Sequence, residues 1–455
     1  MHRAPAELLL PAGSLAKMHA AFDYGADAVY AGQPRYSLRA RNNEFSTAAA
    51  LGEGIAQAHA RGKLFFVASN IFAHNAKLKT YLRDMRPVIE MRPDALIMAD
   101  PGLIMMVRDE WPDMPIHLSV QANAVNWADV KFWQRIGLTR VILSRELSLG
   151  EIAEIRQRCP DIELEVFVHG AMCIAYSGRC LLSGYFTHRD ANQGTCTNSC
   201  RWDYKVSDAE EDPTGSLQVA AAARLHHTPK RTEAGAYAFS ALGALPRHPR
   251  AAEPHMLEES ERPGEFMPMI EDEHGTYIMN SKDLRAVEHV ARLVEIGVDS
   301  LKIEGRTKSR YYAARTAQVY RRAIDDAVAG KPFDWSLLGQ LQGLANRGYT
   351  DGFYQRHSTR EHQNYVNSGS QMNLSQYVGD VLSIRGGWAE VEVRNRFQVG
   401  DRLEVIHPRG NRIVRIEQMQ SLDGAAITLA PGSGHRVRVP LHGEFDRAML
   451  ARVLV

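Results

Sequence analysis

Cysteine is scarce in this chain: five occur in 455 residues. Long apolar runs are missing too, and none approaches the roughly 18 residues that a membrane-spanning helix needs. The N-terminus, Met1-His2-Arg3-Ala4-Pro5, runs straight into a strand-like segment with no signal-peptide apolar core. A cytoplasmic protein is therefore expected. Excess charge of either sign is lacking, with 54 Lys and Arg against 53 Asp and Glu and a formal net charge of +1. No global field draws the chain to nucleic acid or membrane, so any RNA contact needs a local basic patch. Several catalytic signatures are absent. There is no His-Glu-x-x-His and no Gly-x-Ser-x-Gly, which removes two common protease sites. Walker A and Gly-x-Gly-x-x-Gly are missing as well, so no nucleotide cofactor is signalled. Heptads and solenoid repeats are not found.

What is present is the composition of a globular protein, 45% hydrophobic and 24% charged, long enough for more than one domain. Short apolar runs alternate with helix-like segments through the first 330 residues. The runs are Glu7–Leu10, Asp27–Ala31, Leu64–Ala68, Ala95–Met98, Ile116–Val120, Arg140–Leu143, Ile162–Val168 and Ser300–Ile303. Leu64-Phe65-Phe66-Val67 is apolar without alternation, as in strands buried on both faces. A doubly wound sheet shares this alternation, but eight units favour an α/β, TIM-like (β/α)8 barrel. Leu147–Arg158 and Ser281–Ile296 read as helices, the second capped by Ser281.

The expected division is a barrel domain over 1–335, a helical element and linker over 336–374, and a small C-terminal antiparallel β-barrel over 375–455. Inside the barrel domain an insertion of about 171–276 follows the seventh strand, too long for a simple loop. Its middle, roughly 206–260, is rich in Ala, His and Arg with little periodicity. It is expected to be poorly ordered or separately folded. The C-terminal reading rests on short alternating runs such as Gln376–Leu382 and Trp388–Val393, punctuated by Gly-Gly and Asp-Gly.

Four of the five cysteines, Cys173, Cys180, Cys196 and Cys200, fall in that insertion. In a reducing compartment such clustering points to metal rather than disulfides. The spacing Cys-x6-Cys-x15-Cys-x3-Cys lacks the Cys-x2-Cys knuckles usual for zinc. Position 203 is Asp, so the last pair does not extend to a radical S-adenosylmethionine loop. A 4Fe–4S cluster is the favoured occupant, with structural zinc and unliganded thiols as alternatives. Cys159, beside Pro160, reads as structural.

In barrel enzymes the chemistry gathers at the C-terminal strand ends. There the sequence places Asn70, Asp100, Gln121, Asn123, Arg145, His169, Glu304 and Arg306. Singly, each is more often a loop cap, and a lone His169 is more often structural than catalytic. Together, on one rim, they are candidates: His169, Glu304 and Arg306 for catalysis, Gln121 and Arg145 for substrate binding. The second strand runs into a loop with Arg35, Arg39 and Arg41 within seven residues, then Asn43. Arginine forks there suit a dicarboxylate or an RNA phosphate, against a solvated surface loop as the plain alternative.

At Glu7–Ser14, Tyr24–Phe45, His117–Leu147, His169–Cys200, Tyr277–Leu284 and Ser300–Lys308 the chain resembles the collagenase-like peptidase family, U-32. Within it the likeness is to its prephenate-dependent tRNA uridine hydroxylases. The block Met172-Cys173, Ser177-Gly178-Arg179-Cys180, Gly194-Thr195-Cys196 and Cys200-Arg201-Trp202 is its most specific part. The resemblance implies a bacterial cytoplasmic enzyme that hydroxylates wobble uridine of tRNA to 5-hydroxyuridine, uses prephenate rather than molecular oxygen, and holds a 4Fe–4S cluster on the four cysteines. An electron donor would be a further partner. A peptidase, or a non-catalytic iron–sulfur RNA-binding factor, are the competing readings.

Overall fold

The computed structural model describes residues 5–37, 45, 47–171, 175–176, 179–180, 204–211, 217–219, 255–259, 264, 266–272, 275–277, 283–305, 308–344, 346, 348–355 and 375–454. Seven parallel strands open the chain: β1 Glu7–Pro11, β2 Ala28–Gly32, β3 Leu64–Ser69, β4 Ala95–Met98, β5 Ile116–Leu118, β6 Arg140–Ile142 and β7 Glu163–Gly170. The eighth barrel strand, Ser300–Ile303, pairs in parallel with both β7 and β1 and closes the ring. All eight expected strands are present. No helix of the described residues is long and apolar enough to cross a membrane.

Helices between the strands start where the side chains can cap them. Ser148 and Glu151 form a reciprocal capping box at Leu149–Arg158. Asp100 accepts from Gly102 and Leu103 N–H at the head of Pro101–Glu110, with proline in the first turn. The second expected helix is corrected in part. Ser281 lies outside the described residues, and Asp283–Arg285 is a strand antiparallel to β7, with Leu284 opposite Gly170 and Arg285 opposite His169. Helix begins only at Val290, after a 3-10 turn. The cause is tertiary. β7 runs past the barrel and leaves backbone groups at its end that this short strand satisfies.

Within the excursion, Leu217–Val219, Tyr204–Glu211, His255–Glu259, Phe266–Asp272 and Gly275–Tyr277 line up as a five-stranded antiparallel sheet. Residues 220–254 lie outside the described residues, as do 356–374 of the helical element and linker expected over 336–374, of which Ser336–Gln342 is a helix. The C-terminal unit is an eight-stranded antiparallel sheet curled over its own core of Val378, Val391, Phe397, Leu403 and Leu450. One of its inner strands, Met449–Val453, was not signalled by alternation; it carries three consecutive buried residues because both of its faces are covered.

The barrel axis is ionic. Arg140 donates to both oxygens of Glu7 at 2.7 and 3.2 Å, to Glu163 at 2.8 Å and to Glu165 at 3.1 Å. Lys302 Nζ donates to Glu165 Oε1 at 2.7 Å, and Ser300 Oγ to Glu7 Oε1 at 2.9 Å. Burial alone would raise the Glu165 carboxyl, but Lys302 and Arg140 outweigh it and hold it below the usual range.

The C-terminal sheet docks on the last barrel helix, Arg310–Val328. Tyr311 stacks on Tyr377 with ring centroids 4.7 Å apart. Arg315 pairs with Glu404, Gln318 donates to His407 O at 3.1 Å and Asn411 Oδ1 at 2.9 Å, and Tyr24 OH donates to Ile406 O at 2.8 Å. Ile406, Met449 and Ala451 join the barrel's hydrophobic cluster, so the two units share apolar packing as well as polar clasps.

The ionic axis makes a prediction. Lys302→Met leaves the buried Glu165 with Arg140 alone, and should cost roughly 3 kcal/mol. The double variant Lys302→Met with Glu165→Leu, which removes both charges, should recover most of that. Urea denaturation midpoints of the full chain measure both.

Candidate active site

The end of β7 and the end of the eighth strand are clasped by backbone. Glu304 N–H donates to His169 O at 2.8 Å. Gly170 has φ +108°, and a Cβ there would lie 2.5 Å from Glu304 O. Gly305 has φ +143°, and a Cβ would lie 2.6 Å from the Tyr312 ring. Only glycine fits either position. Tyr312 OH completes the clasp by donating to Glu304 O at 2.8 Å.

This clasp holds His169, 1% exposed, among the rings of Tyr312, Tyr320 and Tyr349, at centroid distances of 5.7, 5.5 and 5.5 Å. Tyr320 OH donates its single proton to Val168 O at 2.7 Å and accepts from Ala286 N–H at 3.2 Å. His169 Nδ1 stands 3.3 Å from the same hydroxyl. With the phenol proton committed, Nδ1–H must be the donor, which assigns the tautomer. Nε2 then carries the lone pair and has no hydrogen-bond partner among the described residues. Burial, helped by the positive charges of Arg285 and Lys308, pushes the imidazole pKa down to about 3. At neutral pH the ring is therefore uncharged, a hydrogen-bond acceptor rather than a cation.

Other candidates sit on neighbouring strand ends. Glu304 Oε2 accepts from Tyr30 OH at 3.2 Å, and the Tyr30 ring lies over Lys302 Nζ at 4.4 Å. The Arg145 guanidinium carbon lies 3.9 Å from the ring centroid of Phe167 of β7, and Arg145 donates to Ala171 O at 3.0 Å. Thus His169, Glu304 and Arg145 occupy the ends of three adjacent strands. Gln121 is half-buried in the 3-10 turn after β5.

Several rim residues have structural partners. Asp100 caps its helix and also receives Ala73 N–H at 2.8 Å. Asn123, with φ +56°, accepts from Ser144 OH at 2.7 Å, and Asn70 donates to Ser119 Oγ at 3.3 Å. Arg35 is exposed and turned to the outer helix Asn75–Glu90, where it pairs with Asp84 at 2.5 Å.

Arg39, Arg41, Asn43, Arg306, Cys173, Cys196 and Cys200 lie outside the described residues. Cys180 ends the strand Arg179–Cys180, whose backbone pairs with Ala175–Tyr176 in a short ribbon just beyond β7. Among the described residues no group of three or more His, Cys, Asp or Glu could hold a metal ion. Cys159 is buried, as expected of a structural thiol, and faces Trp127 O at 3.5 Å.

The sequence reading missed the tyrosines around His169 and the charges on the barrel axis. A signal existed for both. Tyr312, Thr316 and Tyr320 repeat every fourth residue, one stripe of a helix. Glu163, Glu165 and, on the eighth strand, Ser300 and Lys302 repeat every second residue among apolar neighbours.

The sequence profile of Peptidase family U32 matches residues 13–364, and that of the Peptidase family U32 C-terminal domain matches 374–452. The chain belongs to peptidase family U32. A protein of Escherichia coli strain K12 named tRNA hydroxylation protein P is 58% identical over 449 residues, 98% of this chain and 96% of that protein. The Haemophilus influenzae protein of the same name is 56% identical over 99% of this chain and 96% of its own length. A 23S rRNA 5-hydroxycytidine synthase of E. coli is 27% identical over 89% of this chain and 53% of its own length.

The neutral His169 has a measurable consequence. Its ring proton resonances should stay put from pH 8 to pH 5, where exposed histidines titrate. The unfolded chain takes up this proton near pH 6.5 and the folded chain near 3, so acidification between them favours unfolding. His169→Gln should therefore flatten the loss of stability over that window, by up to about 1.4 kcal/mol per pH unit. Denaturation midpoints of both proteins between pH 4 and 7 check the sign.

Proposed function

We propose that this chain is a tRNA-modifying hydroxylase. It converts wobble uridine to 5-hydroxyuridine in the cytoplasm, without molecular oxygen, with prephenate as co-substrate and an iron–sulfur centre. The observation that carries the reading is the 58% identity, across 98% of the chain, to tRNA hydroxylation protein P. The reaction replaces C5–H by C5–OH, a two-electron oxidation of the base.

The donor set supports the cofactor assignment. Cys173, Cys180, Cys196 and Cys200 are soft thiols suited to a 4Fe–4S cluster, with zinc as the alternative, and they follow the His169-Gly170 strand end directly. When bound, such a cluster would supply one-electron transfer, and the two electrons lost by the base would have to pass to an external acceptor. The chain's own residues bind substrates and handle protons. Arg145, held over the Phe167 ring, offers its fork to a carboxylate of prephenate. Arg39, Arg41, Asn43 and Gln121 extend that binding role, while Arg35 ties its loop to Asp84. His169 offers Nε2 as a hydrogen-bond acceptor for a substrate N–H or O–H, Glu304 stands at the next strand end, and Arg306 is assigned a role beside them from its place in the sequence.

The family's name keeps a peptidase reading in play, and the same experiments judge it. Protein purified without oxygen should be brown, with about four irons per chain. One zinc and no iron would remove the hydroxylase mechanism. A deletion strain should yield tRNA lacking 5-hydroxyuridine derivatives, and unchanged tRNA in a strain with no second pathway would refute the substrate. His169→Gln should lower hydroxylation by about 10²-fold or more with tRNA affinity unchanged. Proteolysis that co-purifies with the chain and survives Cys173→Ala would instead support the peptidase.

A further inference from the structure

The C-terminal sheet ends in a hairpin with an unusual charge pattern. Strands Arg402–Ile406 and Arg412–Arg415 pair antiparallel, and Arg402 stands directly opposite Arg415. Like charges in that position cost stability. Both arginines are exposed, as is Arg409 in the connecting turn.

The hairpin has two acids of its own, and both are taken from outside it. Asp401 faces Arg452 at 3.7 Å, and Glu404 pairs with Arg315 of the last barrel helix. Arg412 meets Glu444 at 3.5 Å. Arg402, Arg409 and Arg415 have no carboxylate within ion-pair distance among the described residues. The strand Arg412–Arg415 is also the outermost of its sheet, with Ile413 54% exposed beside the arginines. Other exposed arginines of this unit do have partners, Arg394 with Asp380 and Glu392 and Arg436 with Glu390, while Arg385 stands singly at the end of Ser375–Arg385 without one among the described residues.

The chain as a whole carries a net charge of only +1, so this edge is a local concentration of positive charge rather than part of a general field. Its placement is fixed, not floating. Glu404 and Asn411 bind the hairpin to Arg315 and Gln318, on the helix that also carries Tyr312 and Tyr320 against His169. An elongated polyanion seated on the hairpin is thereby held in constant relation to the barrel mouth.

We propose that Arg402, Arg409 and Arg415 form a phosphate-gripping edge that docks the RNA backbone of the substrate. The identity of the polyanion as tRNA rests on the proposed function; the presence of the edge does not. Backbone contacts of this kind position the nucleic acid and carry no sequence reading.

The test uses the full chain and unmodified tRNA, with binding followed by fluorescence anisotropy over a range of salt concentrations. Arg402→Gln with Arg415→Gln should weaken binding about 10-fold at low salt. The slope of log affinity against log salt should fall by roughly 1.5 to 2. The melting temperature should hold or rise, because an opposed like-charge pair is removed. The control is Arg436→Gln with Arg447→Gln, an equal charge loss at positions already facing Glu390 and Asp446. It should leave affinity within about two-fold. Equal losses in both double variants would mean bulk charge only and overturn the proposal. So would an unchanged salt slope in the first variant, which leaves the tRNA reading standing. Wild-type chain that fails to bind tRNA would overturn both.

Discussion

The barrel depends on one long-range event, the pairing of β7 with a strand that arrives after the whole excursion has been traversed. Ser300 meets Glu165 and Leu301 meets Val166 across that seam. Closing a loop of this size costs on the order of 4 kcal/mol in chain entropy. The seam answers with more than backbone bonds. Lys302 and Glu165 meet across it inside the barrel, Arg140 joins them from β6, and Ser300 ties Glu7 of β1 to the same set. Four strands are thus cross-linked by charge at the point of closure. An apolar interior would be as stable, but it would tolerate a shifted register; a lysine one residue out of place would face the helices instead of Glu165.

The same seam ends in the candidate site. The bond from Glu304 to His169, with glycine required on both sides, sets where the two strand ends stop being regular and begin to present side chains. His169 then takes its environment from three separate pieces of chain: the helix bearing Tyr312 and Tyr320, the short strand Asp283–Arg285, and Tyr349 beyond the barrel. Its neutrality is a property of that assembly.

Much of this was legible in the sequence. Eight apolar runs named the barrel because each strand is buried on both faces, and burial on both faces writes itself as an unbroken run. His169, Glu304 and Arg145 could be placed at strand ends because strand ends are easy to locate once strands are. The misses have a common physical origin. Asp283–Arg285 is a strand only because β7 overshoots the barrel, which no local pattern reveals. Lys302 and Glu165 look like solvent-facing residues until the ring closes around them. Tyr320 acts through one hydroxyl on residues about 150 positions earlier. Met449–Val453 lacks alternation because it is sandwiched between its own core and the barrel.

The route of the excursion has a consequence for how this fold can vary. The chain leaves the barrel after Gly170 and returns at Leu284, and these two residues are neighbours in an antiparallel pair. Exit and entry therefore form the two sides of a single stem, closed at its base before any of the intervening chain is reached. Whatever is strung beyond that stem can lengthen, shorten or be replaced without moving the barrel walls, as an appendage grafted at one point. The architecture separates the barrel from the segment inserted on that stem, and it puts the junction between them one residue away from His169.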